Sequence, residues 1–177
     1  MRGFFNGVVF TIALLLGAGF AAVQFGALPS GADAKPPALE KWAANRSLHA
    51  SLSRASEGVA NPLPVTDENL TAGVQLYAAN CAVCHGASDA KSSTLAKGFY
   101  IESPQLAKDG VEDDPEVVTF LKIKHGIRFT AMPAFGANLS ETKIWQIASF
   151  VKRMDKLPAA VEAQWKKVSS AAPSPEP

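Results

Sequence analysis

Cys81-Ala82-Val83-Cys84-His85 is the stretch on which the reading of this chain turns. Two cysteines three positions apart, followed at once by a histidine, form the attachment pattern of a c-type haem. The spacing has a chemical reason. Each thiol adds to one of the porphyrin's two vinyl groups, and His85 follows on the same turn, where its imidazole reaches the iron. The 177 residues include 2 cysteines in all, so neither thiol has a competing partner.

Other uses of a Cys-x-x-Cys pair fit less well. Structural zinc takes four ligands, commonly two such pairs or one pair with two spaced histidines. Here there are 2 cysteines and 3 scattered histidines. A thioredoxin-type pair belongs near a strand–helix unit, whereas this one closes a predicted helix. A plain disulfide leaves a second motif unexplained. That motif is Gly126-Ile-Arg-Phe-Thr-Ala-Met-Pro-Ala-Phe-Gly136, a loop bounded by glycines and stiffened by Pro133.

An iron that cycles without binding substrate needs two strong axial ligands, and a thioether is a usual second one. Of the three methionines, Met1 precedes a long apolar segment and Met154 sits beside Arg153 and Asp155. Met132, in the loop just quoted, is the candidate; its competing role is to fill core space, as methionines commonly do. His125 precedes Gly126 at a predicted helix end. There it suits the carbonyl terminus or a haem propionate better than the iron. His49 reads as an exposed helix residue.

Around these motifs the pattern is helical throughout. Thr66 caps a helix whose apolar positions Leu70, Val74, Tyr77, Ala78 and Cys81 recur at helical spacing. Asp114-Pro115-Glu116 announces another that ends at Gly126, and Ser140 caps a third, running to about Met154. A helix over 38–56, without internal Pro or Gly, precedes them. It fits either a solvated spacer or a segment packed through Leu39, Trp42, Leu48 and Leu52. Residues 158–168 suggest a short amphipathic helix, and 169–177 a disordered Pro/Ala/Ser tail. No useful length shows strand periodicity. The loops 86–112 and 127–139 are long for a compact domain unless a non-peptide group organises them.

Composition is that of one globular domain with an apolar appendage: 47% hydrophobic, 19% charged, net charge +1. Nothing suggests a nucleic-acid partner, which calls for a basic patch or stripe. From Phe4 to Leu28 no residue is charged, and twenty-five residues give ~37 Å of helix, enough to cross a ~30 Å hydrocarbon core. The same stretch also fits a signal peptide, since Ala32-Asp33-Ala34 has the form of a cleavage site. Its length exceeds the usual ~7–15-residue apolar region, which favours an anchor. The expected organisation is an anchor or signal over 1–28 and a linker over 29–65. A haem domain over 66–157 and a short helix with tail over 158–177 complete it.

Cys81-Ala-Val-Cys-His-Gly86, followed some fifty residues later by Thr130-Ala-Met-Pro-Ala-Phe-Gly136, resembles a class I mono-haem cytochrome c of the membrane-anchored bacterial type. The match runs from about Asp67 to Asp155. Gly73 with Tyr77, and Trp145 with Phe150, match the small and aromatic positions where that family's first and last helices cross. The resemblance implies an all-α cytochrome c fold of three to four helices with long loops around one covalent haem c. It further implies Cys81 and Cys84 as the attachment residues and His85 and Met132 as iron ligands. A proline carbonyl orients the proximal imidazole in such proteins, and Pro104 is the candidate. Haem attachment of this kind implies the periplasmic face of a bacterial inner membrane. The function implied is one-electron transfer between redox protein partners, without enzymatic bond chemistry.

The alternative is a fixed cytochrome subunit of a respiratory or dehydrogenase complex. A haem enzyme or gas sensor would need an open iron position, against which Met132 argues. Lys91, Lys97, Lys124 and Arg128 are either a docking ring for an acidic partner or scattered solvated charges.

Overall fold

The structure is a computed structural model that describes residues 1–89, 91, 93–109 and 114–168. The tail expected over 169–177 lies outside the described residues. Among those described there are seven α-helices, two short 3-10 turns and no strand, so the fold is all-α as expected. The chain divides into two compact units, Met1–Ala34 and Lys35–Pro177.

The first unit is one helix, α1 (Arg2–Gln24), with no buried residue. It is long and apolar enough to cross a membrane by length and composition, with a mean hydropathy of 2.0. It stops four residues short of Leu28 because Gly26 takes φ 66. The amides of Gly26 and Ala27 then bond back to the carbonyls of Val23 and Ala22, which closes the last turn.

The second unit contains α2 (Ala38–Ala55), α3 (Asp67–Asn80), α4 (Ala82–His85), α5 (Glu116–His125), α6 (Glu141–Lys152) and α7 (Ala159–Trp165). The caps read from sequence are present. Thr66 accepts a hydrogen bond from the Asn69 amide at 3.2 Å, and Ser140 one from the Lys143 amide at 3.4 Å. Pro115 precedes the first turn of α5, and Gly126, at φ 65, ends it.

Helices α3 and α6 pack directly together. Leu70, Gly73, Val74 and Tyr77 bury one face of α3. Most of α6 is enclosed: Ile144, Trp145, Ile147, Ala148, Phe150 and Val151 all lie in the core. Where the two meet, a Cβ added to Gly73 would collide with the Gln146 carbonyl and stand 2.8 Å from Phe150 Cβ. Glycine is required there for close approach, not for its backbone angles. Helix α5 closes on the other side of α6, with the Phe120 ring stacked on Trp145 at 3.9 Å.

Packing continues past residue 157. Val161 and Trp165 of α7 are buried, and the Trp165 indole meets both Tyr77 and Phe150 edge-to-face. The apolar side of α7 is therefore spent inside the domain. Helix α2 packs against the domain through Leu52, with Leu48 half-buried, while Leu39 and Trp42 stay exposed. Of the four residues considered for packing, Leu48 and Leu52 are half-buried and Leu39 and Trp42 are not. Asn61 ties the following segment down by donating from Nδ2 to Ser149 Oγ at 2.8 Å.

The two exterior helices make opposite predictions for their tryptophans. Trp165→Ala removes a buried ring between Tyr77 and Phe150 and is expected to cost about 3–5 kcal/mol in guanidinium unfolding. Trp42→Phe, on an exposed face, is expected to change stability by less than about 0.5 kcal/mol.

Candidate haem site

Helix α3 carries the chain to Cys81, and the motif continues as the single turn α4. The backbone of this turn is held from several directions. Tyr77 Oη donates to the Gly86 carbonyl at 2.8 Å and lies 3.3 Å from that of His85. The Leu106 amide donates to the His85 carbonyl at 3.1 Å. Gln105 Nε2 donates to the Cys84 carbonyl at 3.1 Å, and Ser93 Oγ donates to the Val83 carbonyl at 2.5 Å.

Gln105 is the residue that sequence reasoning missed. It is buried, and its Oε1 accepts from the Ser93 amide at 3.1 Å, while its Nε2 also reaches the Ser103 carbonyl. It thereby fastens the long loop after the motif to the motif itself. Part of the order expected from a non-peptide group is thus supplied by one amide side chain. A glutamine flanked by Pro104 and Leu106 gave little signal for this in the sequence.

Fixing Gln105 also fixes its neighbour. The Pro104 carbonyl lies 2.9 Å from His85 Nδ1, the contact expected from the family resemblance. With Nδ1–H donating there, Nε2 keeps its lone pair. Burial of the imidazole lowers its pKa, opposed by the Pro104 hydrogen bond, and so favours the neutral form a metal requires. Burial likewise pushes the Cys81 thiol up to about 12 and raises that of Cys84.

Cys81, Cys84 and His85 line a cavity with about 1060 Å³ of atom-free space, counting its open mouth. Met132 lines the same cavity, so all four residues singled out in the sequence come together. Apolar walls come from Ile101, Leu106, Ile123, Ile127, Phe135, Ile147 and Val151, and polar groups from Asn80, Glu102, Asp114 and Lys122. Such a pocket suits a flat apolar macrocycle with a charged edge. Neither cysteine is in a disulfide. Among the described residues no group of three His, Cys, Asp or Glu side chains is arranged to hold a metal ion.

The Met132 loop is tightly determined. The Ile127 amide donates to the Met132 carbonyl at 3.2 Å, and the Met132 amide to Thr130 Oγ1 at 3.1 Å. A Cβ on Gly126 would stand 2.7–2.8 Å from backbone atoms of Met132, Pro133 and Ala134, so glycine here serves both its positive φ and the close approach. At the tip Phe129 is 90% exposed and left-handed at φ 62, a strained setting for an aromatic residue. His125 is exposed and is not among the cavity-lining residues; His49 is exposed on α2. Of the four cations considered for docking, Lys124 pairs with Glu141 at 2.6 Å and Lys91 with Asp89 at 3.8 Å. Arg128 lies over the Phe129 ring.

These features define the class. The chain belongs to the cytochrome c family, as a mono-haem class I member whose cofactor is covalently bound haem c and whose work is electron transfer. The family model described as "Cytochrome C oxidase, cbb3-type, subunit III" matches residues 68–151. Cytochrome c6 of Picosynechococcus sp. (strain ATCC 27264 / PCC 7002 / PR-6) is 35% identical over 91 residues, covering 50% of this chain and 75% of that protein. Cytochrome c6 of Petalonia fascia is 35% identical over 83 residues, covering 45% and 85% respectively. No solved structure matches.

Tyr77 joins core and site, and burial raises its pKa far above the ordinary tyrosine value, with the Cys81 thiol adding a smaller push. A raised folded-state pKa means that its contribution to stability is complete below the unfolded pKa of about 10 and is lost as pH rises beyond it. Tyr77→Phe is expected to cost about 1–3 kcal/mol at neutral pH, by leaving the Gly86 carbonyl without its donor. The variant should also show a shallower loss of stability above pH ~10 than the native protein, read from unfolding curves across alkaline pH.

Proposed function

We propose that this chain is a membrane-tethered electron carrier whose haem is attached through Cys81 and Cys84 and ligated by His85 and Met132. The observation that carries the reading is that four residues from two separate stretches of sequence line one cavity. When bound, haem supplies a one-electron couple. His85 offers a neutral imidazole whose free nitrogen is set by the Pro104 carbonyl. Met132 offers a thioether from a loop whose backbone is hydrogen-bonded on both sides of it. Held by both His85 and Met132, the group would supply electron exchange rather than substrate chemistry.

The tether is α1, and the haem domain faces the periplasm of a bacterial inner membrane, where c-type attachment occurs. Donor and acceptor are redox proteins that dock near the cavity mouth. Removing the sulfur tests the ligand set. Met132→Ala is expected to abolish the sulfur–iron charge-transfer band at the red end of the oxidised spectrum and to lower the reduction potential. A band that survives the substitution overturns the assignment.

A second reading is favoured by the description of the matching family, a subunit of an oxidase. In that reading the chain works as a fixed subunit of a larger respiratory complex. Mild detergent extraction separates the two: a carrier elutes alone on size exclusion, whereas a subunit elutes with stoichiometric partners.

A further inference from the structure

Leu39 and Trp42 stand three positions apart near the start of α2 and are 73% and 66% exposed. At about 100° per residue they lie roughly 130° around the helix from Leu48 and Leu52, the side turned to the domain. The helix is pinned in this rotation at both ends. Glu40 Oε2 accepts a hydrogen bond from the Tyr100 hydroxyl at 3.0 Å, and Leu52 packs against the core. The apolar pair therefore cannot turn inward without giving up these contacts. Arg46 shares the pair's side of the helix and is exposed, and the exposed Lys35 precedes the helix.

We propose that Leu39 and Trp42 dock the start of α2 into the headgroup layer of an anionic phospholipid membrane, holding the haem domain against the surface. This rests on reading α1 as a membrane anchor. Residues 25–37 separate the two helices and reach ~45 Å at most when fully extended, so α2 begins within reach of the surface that α1 would cross. Tryptophan suits that layer because its ring body is apolar while its N–H bonds water. Arg46 and Lys35 complement anionic headgroups, and Glu40, the acidic side chain of this turn, lies about 130° around the helix from the pair, where it accepts from Tyr100. Two side chains are too small for a stable protein interface, which removes about 800 Å² from each partner.

The test uses the full haem-loaded chain in vesicles of acyl-brominated phosphatidylcholine and phosphatidylglycerol. The emission of Trp42 is taken as the difference between the native protein and Trp42→Phe, with an unchanged visible spectrum certifying the fold of the variant. The expected result is a blue-shifted Trp42 emission quenched by lipid bromine and shielded from aqueous iodide. Protein retained by the vesicles after a carbonate wash, but with Trp42 quenched by iodide and not by bromine, overturns the proposal while leaving the anchor standing. Release of the protein by the wash removes the anchor and the proposal together. Shielding from iodide in native membranes but not in vesicles assigns the face to a protein instead and overturns it as well.

Discussion

The contact between α3 and α6 is set at one point by the missing side chain of Gly73. Because the Gln146 carbonyl and Phe150 come so near that position, the two helices sit closer than any larger residue permits. That closeness brings Tyr77 against Phe150 and leaves a niche that the Trp165 indole fills. The same helix then delivers Cys81 to the cavity and aims the Tyr77 hydroxyl at the carbonyls beyond it. Loosening the crossing would therefore disturb core and site at once.

The site is fixed through its backbone carbonyls. The carbonyl oxygens of the motif turn accept from the Tyr77, Ser93 and Gln105 side chains and the Leu106 amide, His85 is oriented by a carbonyl, and Met132 is placed by the Ile127 amide and the Thr130 hydroxyl of its own loop. Interactions of this kind are strong when buried and satisfied. Several of them cross 19 to 21 residues of chain, which ties the long loop after the motif to the motif itself and explains how it holds a cavity open with so little regular structure.

Much of this was legible in the sequence because the relevant signals are short-range. Thr66 and Ser140 cap their helices through amides three residues on, and Pro115 and Gly126 bracket α5 through their own backbone restrictions. The four cavity residues were legible because the chemistry of a covalent haem narrows the choice of residue types. What could not be read depends on contacts far apart in the chain. Gln105 reaches back to Cys84, Asn61 reaches forward to Ser149, and Trp165 packs on Tyr77. No local pattern distinguishes these residues from ordinary surface glutamines, asparagines and tryptophans.

Val83 lies between the two cysteines with its side chain half in solvent, while its carbonyl is occupied by Ser93. A carbonyl acceptor is blind to the side chain on its own residue. The hydrogen bond that holds the turn at this position therefore does not depend on the valine side chain. The most constrained part of the molecule thus carries at its centre a side chain that none of those constraints touches.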